Sequence, residues 1–194
     1  MSTITFPQSI TVGPVIIDGQ RREIGLTPWT LDEAERRTKL VAANDEHLRP
    51  WFPWMTAEPL PLEKSQEVLL GWETEMAAGI TGQYAIRLDN SIFGAIALMT
   101  RPGPGTMEIG YWLDHTMWGH GIVTRSALAL ACVAFEIDGI QRVEIHHDPR
   151  NFASGGVAKK AGFECQDDWS FDWAPPVDGS ETIDDVAWHL VKPD

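Results

Sequence analysis

The sequence predicts an α/β (α+β) domain, one mixed sheet with helices on both of its faces. Three features carry that reading. Apolar runs of strand length recur along the chain, longer segments of helical periodicity interrupt them, and turns built on Gly, Asn, Asp or Pro separate most of them. Asp18-Gly19 divides Ser9–Ile17 from Arg22–Thr27, a hairpin. Thr30 with Glu33 three residues on forms a capping box that opens a helix to about Asn44. His47 to Pro61 holds Trp51, Phe52 and Trp54 among four prolines and reads as a structured loop. A helix from about Leu62 to Ala78 carries Val68, Leu69, Trp72 and Met76 on one side.

Strands follow at Gln83–Leu88, Ile92–Met99 and Thr106–Leu113. Ile122–Ile137 has Arg125 and Glu136 as its only charged members and reads as a buried helix with Cys132 in the core. Arg142–His147 is a strand, Asn151–Ala161 a short helix stopped at Gly162, and Phe163–Trp173 and Thr182–Val191 the last strands. Residues 1–194 read as a single domain: an N-terminal hairpin over about 9–27, a core over about 82–163 and C-terminal strands over about 163–191.

Composition narrows the function. With 43% apolar residues and nine tryptophans the chain has ample core, and a domain of this length buries about 70% of its unfolded surface. No apolar run approaches the ~20 residues of a membrane span, and Met1–Ile10 lacks a secretory pattern. Two cysteines without metal-type spacing suit a reducing compartment, so a cytoplasmic location is expected. A formal charge of -13 would repel a phosphate backbone and excludes nucleic acid as a natural partner. From Glu164 onward nine acidic side chains face one lysine, Lys192, which favours a cationic partner; solubility alone accounts for the same charge.

Gly119-His120-Gly121 follows a strand and opens a helix, the arrangement in which unpaired N–H groups and the helix dipole hold phosphate. Thr124 stands where a dinucleotide-binding glycine would be, and no Gly-Lys-Ser/Thr ending is present, so the turn is neither of those nucleotide motifs. A plain structural turn is its other reading. Gly110-Tyr111-Trp112-Leu113 lies before this turn, Asn151-Phe152-Ala153-Ser154 after it, and Lys160-Ala161-Gly162-Phe163 closes the series. In order and spacing these motifs resemble the RimJ/RimL-type branch of the GNAT N-acetyltransferases, and the match runs from about Asn44 to Phe163.

The resemblance implies a mostly antiparallel GNAT sheet whose core, about 82–163, binds acetyl-CoA as cosubstrate without a metal. It implies that Tyr111, Trp112 and Leu113 border the pantetheine arm beside a bulge at Gly110. Trp118, Gly119, His120, Gly121, Val123 and Thr124 then surround the diphosphate, and Asn151 meets the pantetheine amides or caps its helix. Gly155-Gly156 inside a helix costs about 1 kcal/mol per glycine relative to alanine, and close approach of the cofactor is the expected reason. Trp118 and Val123 depart from the family's usual turn residues, and Gln166-Asp167 stand where the RimL-like branch has a Glu-Gly pair.

Acetyl transfer needs a neutral amine. An α-amine of pKa about 8 is roughly one-tenth neutral at pH 7, a cost of about 1.4 kcal/mol, so a base is useful. Glu108 is the expected base, directly or through water; the alternative is a carboxylate facing solvent or paired with arginine. Ser154 is expected to hydrogen-bond the departing sulfur, or else to cap its helix. Trp51 and Trp54, with Phe52, line the acceptor pocket or belong to the core. His146, His147 and Asp148 do not share a strand face and offer no metal set. Cys165 lies near the site as a weak candidate for a reactive thiol. The expected reaction is direct attack of a primary amine, at a peptide N-terminus or on a small molecule, on the thioester. A non-catalytic acyl-CoA-binding sensor is the competing reading, and a homodimer is left open.

Overall fold

Apolar side chains give the central strands faces to bury, and among the described residues eight strands join into one sheet. The computed structural model describes residues 4–166 and 185–193. Its elements are β1 (Ile10–Ile17), β2 (Gln20–Pro28), α1 (Ala34–Ala43), α2 (Asp45–Leu48), α3 (Leu62–Ala77), β3 (Thr81–Leu88), β4 (Ser91–Met99), β5 (Thr106–Leu113), α4 (Ile122–Glu136), β6 (Arg142–His147), α5 (Phe152–Lys160), β7 (Glu164–Cys165) and β8 (Val186–Val191). Single 3-10 turns lie at Leu31–Glu33, Pro53–Ala57 and His115–Met117. The strand order is β1-β2-β3-β4-β5-β6-β8-β7, antiparallel throughout except between β5 and β6. Residues 167–173 and 182–184 of the two expected C-terminal strands, and Asp167, lie outside the described residues.

One face of the sheet packs on α4, whose Ala127, Leu130, Ala131 and Ala134 are fully buried. With Leu26, Ile86 and Leu98 they build the main core, and each leucine or isoleucine so buried stabilises by about 1.5–3 kcal/mol. The helix is amphipathic rather than buried all round: Arg125, Leu128 and Cys132 are exposed, so the expectation of a core Cys132 is corrected. On the other face α3 packs against β3 and α1 against α3. There Trp29, Leu40 and Leu69, with Trp72, sit on Ala85, Ile92 and Ala95.

The structured loop before α3 folds around Met55, which is fully buried with Val41 and Leu48. It delivers Glu58 to Arg37 of α1. Arg37 Nη2 donates to Glu58 Oε1 at 2.6 Å, with side-chain exposures of 5% and 2%. Leu60 N–H donates to Glu58 Oε2 at 2.9 Å, and the guanidinium lies 5.5 Å from the Trp72 ring and 6.0 Å from that of Trp54. Breaking a buried pair is costly because the surviving charge stays desolvated. Glu58→Ala should therefore destabilise by about 3–5 kcal/mol in urea unfolding, whereas the double change Arg37→Met with Glu58→Leu should recover most of that loss.

Candidate active site

β5 runs in register with β4 from the Met99–Glu108 pair to the Gly94–Leu113 pair. Its parallel pairing with β6 covers only Thr106–Arg142, Met107–Val143 and Glu108–Glu144. Past Glu108 the two strands part. The bulge expected at Gly110 is absent, since Gly110 pairs in register with Ala97, and a Cβ there would meet Met99 Cε at 3.2 Å. Separation of the strands, the other half of that expectation, is present. The open edge of β5 borders a cavity of about 1030 Å³.

The turn that leads into α4 forms one wall. Gly119 and Gly121 have φ of 83° and 73°, the left-handed region that favours glycine, and a Cβ on either would meet nothing within 4 Å. Gly121 caps α4, whose first N–H groups, from Ile122 to Thr124, have no carbonyl one turn back. The loop before the turn is anchored from both sides. Trp118 Nε1 donates to Leu113 O at 3.0 Å, and the buried Asn44 at the end of α1 accepts from His115 N at 2.9 Å. The His47 ring lies 4.6 Å from that of His115 and 5.1 Å from that of Trp118. Of the residues expected around the cofactor, Tyr111, Trp112, Leu113, Trp118, Gly119, Gly121, Val123, Thr124 and Asn151 line the cavity; His120 does not.

α5 forms the next wall. Asn151 Oδ1 accepts from Ser154 N at 3.1 Å, so Asn151 is the helix cap and the Ser154 hydroxyl is left for other contacts. That hydroxyl lies 2.9 Å from Tyr111 Oη, which also donates to Ser154 O at 3.2 Å. Burial pushes the Tyr111 phenol up to about 12, against the opposing hydrogen bond with Ser154, so it keeps its proton at neutral pH. The close neighbour of Gly155 is His147: a Cβ there would come within 3.2 Å of His147 Nε2. Gly156, whose Cβ would meet nothing within 4 Å, does border the cavity.

The opposite face of the split strands is polar. Arg101 grips Glu108 with both prongs of its guanidinium, Nε to Oε2 at 3.0 Å and Nη2 to Oε1, and Glu108 is 5% exposed. Glu144 meets Arg142 Nε at 2.6 Å and His146 Nε2 at 2.8 Å. Asp185, buried just before β8, also lines the cavity, and burial raises its carboxyl from the usual range to about 6. Trp51, Trp54, Trp72, Arg37 and Glu58 close the far end. Sequence reasoning did not find Arg37, Glu58, Arg101 or Asp185. Among the described residues no three His, Cys, Asp or Glu side chains gather as a metal group. Trp188 Nε1 donates to His147 Nε2 at 2.9 Å and His147 Nδ1 meets Asp148 O at 2.7 Å, which occupies both ring nitrogens.

An opened parallel pair, a helix N-terminus and a hydroxyl pair meet in one cavity, and the sequence model of the acetyltransferase (GNAT) domain matches residues 23–164. The chain belongs to the GNAT acetyltransferase family. It is an enzyme of the N-acetyltransferase class. Among curated proteins it is similar to YdaF of Bacillus subtilis (strain 168), described as a candidate ribosomal N-acetyltransferase: 28% identical over 133 residues, 68% of this chain and 72% of that one. Among solved structures, RimJ of Mycobacterium smegmatis in complex with CoA-disulfide superposes with a TM-score of 0.81 at 22% identity, covering 96% of this chain and 88% of that one. RimL, a ribosomal L7/L12 α-N-protein acetyltransferase in complex with coenzyme A, gives 0.78 at 22% identity, covering 87% and 93%. At that identity the two structures speak for the GNAT fold. Among the described residues no helix is long and apolar enough to cross a membrane.

A side chain at Gly121 would meet no protein atom, so its effect falls on whatever occupies the turn. Gly121→Val should weaken acetyl-CoA by about 10-fold or more, the loss of about 1.4 kcal/mol of backbone N–H contacts, and lower the melting temperature through left-handed strain of about 1–2 kcal/mol. Equal affinities in titration calorimetry would remove the diphosphate from this turn.

Proposed function

We propose that this GNAT enzyme transfers the acetyl group of acetyl-CoA to the α-amine of a protein or peptide N-terminus, in the cytoplasm. The observation that carries the reading is the opening between β5 and β6, with the N-terminus of α4 at one end and the Ser154–Tyr111 hydroxyl pair at its side. In this reading the pantetheine arm takes the place of the missing strand pairing, and its amides find the strand edge past Glu108. The diphosphate rests on the N–H groups from Gly119 to Val123. Asn151 holds the first turn of α5 through its cap, which aims Ser154.

The amine attacks the acetyl carbon, the carbon–sulfur bond breaks, and the sulfur leaves as a thiolate. A thiol of pKa about 8.5 is a better acid than an alcohol, so Ser154 gains little by surrendering its proton and stabilises the charge by a hydrogen bond. Tyr111, protonated at neutral pH, backs the serine. Glu108 has both oxygens engaged by Arg101, which supports a positioning part for it: it fixes the floor of the acceptor side. Trp51 and Trp54 line that side, and the acidic excess of the chain supports a cationic acceptor. Two further similar structures, an acetyltransferase of Salmonella typhimurium that modifies the N-terminal serine of L7/L12 and a ribosomal-protein-S5-alanine acetyltransferase of Vibrio fischeri, make short peptides beginning with serine or alanine the first acceptors to try.

Release of free CoA thiol from acetyl-CoA with such peptides and a panel of small amines tests the transfer. Turnover with small amines alone would move the acceptor assignment away from protein N-termini. Ser154→Ala should lower the rate by about 10-fold to 150-fold, one charge-assisted hydrogen bond of about 1.5–3 kcal/mol, with acetyl-CoA affinity nearly unchanged. Across acetyl thioesters of differing thiol pKa the variant should show the steeper dependence. Equal rates in both proteins with every thioester would leave Ser154 without a part in the chemistry.

A further inference from the structure

Among the described residues four carboxylates line the cavity: Glu58, Glu108, Asp148 and Asp185. Three are held by arginine, Glu58 by Arg37, Glu108 by Arg101 and Asp148 by Arg150. Among the described residues no hydrogen bond or ion pair engages Asp185, although it is only 9% exposed. Its place follows from the strand register. β6 stays paired with β8 through His146–Ala187 and His147–Val186, and Asp185 is the residue before Val186, beside the stretch of β6 that β5 has left.

Alternation settles which face it shares. Glu108 lies beside Glu144, Glu144 beside His189 and His146 beside Ala187, so these residues share the polar face. Asp185, two residues before Ala187, continues that face. Ile109, Tyr111 and Ile145 turn the other way, toward the core under α4 and the hydroxyl of Ser154. A thioester in the gap would therefore meet hydroxyls on one side and Asp185 on the other.

Of the two histidines nearby, His146 on the polar side meets Glu144 through Nε2, while His147 turns toward Gly155 of α5 and has both ring nitrogens engaged. The groups acting on Asp185 are His146 of β6 and Arg101 of the loop before β5, which favour its charge, and Asp148 after β6 and Glu108 of β5, which oppose it. Burial outweighs them and lifts the carboxyl to about 6, closer to neutral pH than an ordinary aspartate and so better suited to accept a proton in a transition state.

We propose that Asp185 is the general base that takes the proton of the attacking amine. The nitrogen lone pair forms the bond to the acetyl carbon, the carbon–sulfur pair leaves on sulfur, and the N–H proton passes to the Asp185 carboxylate and on to solvent. The thiolate takes its proton from solvent after release. This inference rests on the acetyl-transfer reading above.

The test compares wild type, Asp185→Asn, Asp185→Glu and Glu108→Gln, using acetyl-CoA and a short peptide with N-terminal serine or alanine, from about pH 5 to about pH 9. Ionisation of the amine is common to all four proteins and cancels in the ratio of wild-type to variant kcat/KM. For Asp185→Asn that ratio should rise as pH passes through about 6 and level at about 100-fold or more. For Glu108→Gln it should stay flat with pH. Asp185→Asn should bind acetyl-CoA as wild type does and melt no lower at neutral pH. The sign follows from the raised carboxyl: a group whose folded pKa exceeds its unfolded value costs stability once pH rises above the unfolded value, and asparagine carries no such cost. Should the asparagine variant lose acetyl-CoA binding, Asp185→Glu decides, because a retained carboxylate must preserve the pH-dependent limb. A flat Asp185→Asn ratio, or one near unity above pH 7, overturns the base assignment while leaving acetyl transfer standing. Wild type that releases no CoA with any peptide or amine overturns both.

Discussion

The parallel pairing of β5 with β6 stops at Glu108 and Glu144, and the architecture of the site depends on that stop. Both strands are committed elsewhere beyond it. β5 is clamped to β4, where Gly94 lets the backbones approach so closely that a Cβ would stand 2.3 Å from Trp112 O. Asp114 N–H then donates to Phe93 O at 2.6 Å. β6 stays with β8, where Trp188 reaches His147, and His147 in turn fills the space beside Gly155 of α5. Two strands fixed to different neighbours leave a gap that an amide-bearing chain can occupy without melting either one.

Charge follows the same division. The face toward α4 and α5 is mainly apolar and carries the Ser154–Tyr111 pair and His147, whereas the other face gathers Arg101, Glu108, Arg142, Glu144, His146 and Asp185. Buried charges are tolerated when paired, and nearly all of these are. The Arg37–Glu58 pair performs a similar service at the acceptor end, where it fastens the tryptophan-rich loop to α1. A site assembled from matched pairs keeps its shape, and among the described residues Asp185 is the cavity carboxylate without a pair.

What the sequence made legible was local. Gly119, Gly121, Asn151 and Ser154 sit within a few residues of the helix ends they serve, so turn and cap chemistry points to them directly. The limits of β5 and β6 were legible in the sequence as well. Pairs such as Arg37 with Glu58 join elements far apart in the chain, and no short pattern marks them. Asp185 was one of nine acids after residue 163, indistinguishable until the β6–β8 register set it beside the gap. The glycines misled where their reason was tertiary: Gly155 makes room for His147, and Gly110 lies in an unbroken ladder. Cys132 misled because it lies on the solvent stripe of α4 with Arg125, Leu128 and Glu136, where half of the residues are apolar.

The split sheet also resolves a conflict inherent in the reaction. A base must be ionised to take the proton, and the sulfur becomes negative as the bond breaks, so two negative charges would oppose each other if they shared a side. With Asp185 on the polar face and Ser154 on the other, an acyl group bound in the gap as proposed would stand between them with the strand edges. The sulfur side then needs donors without charge, and burial supplies one by keeping Tyr111 protonated. The amine side needs a negative potential that draws a cation in and a group that accepts a proton, and in the proposed mechanism Asp185 serves both ends. Burial thus acts in the same direction on both acids, toward the protonated form, yet it serves opposite ends: it fixes a donor whose proton must stay and raises an acceptor whose proton must come and go.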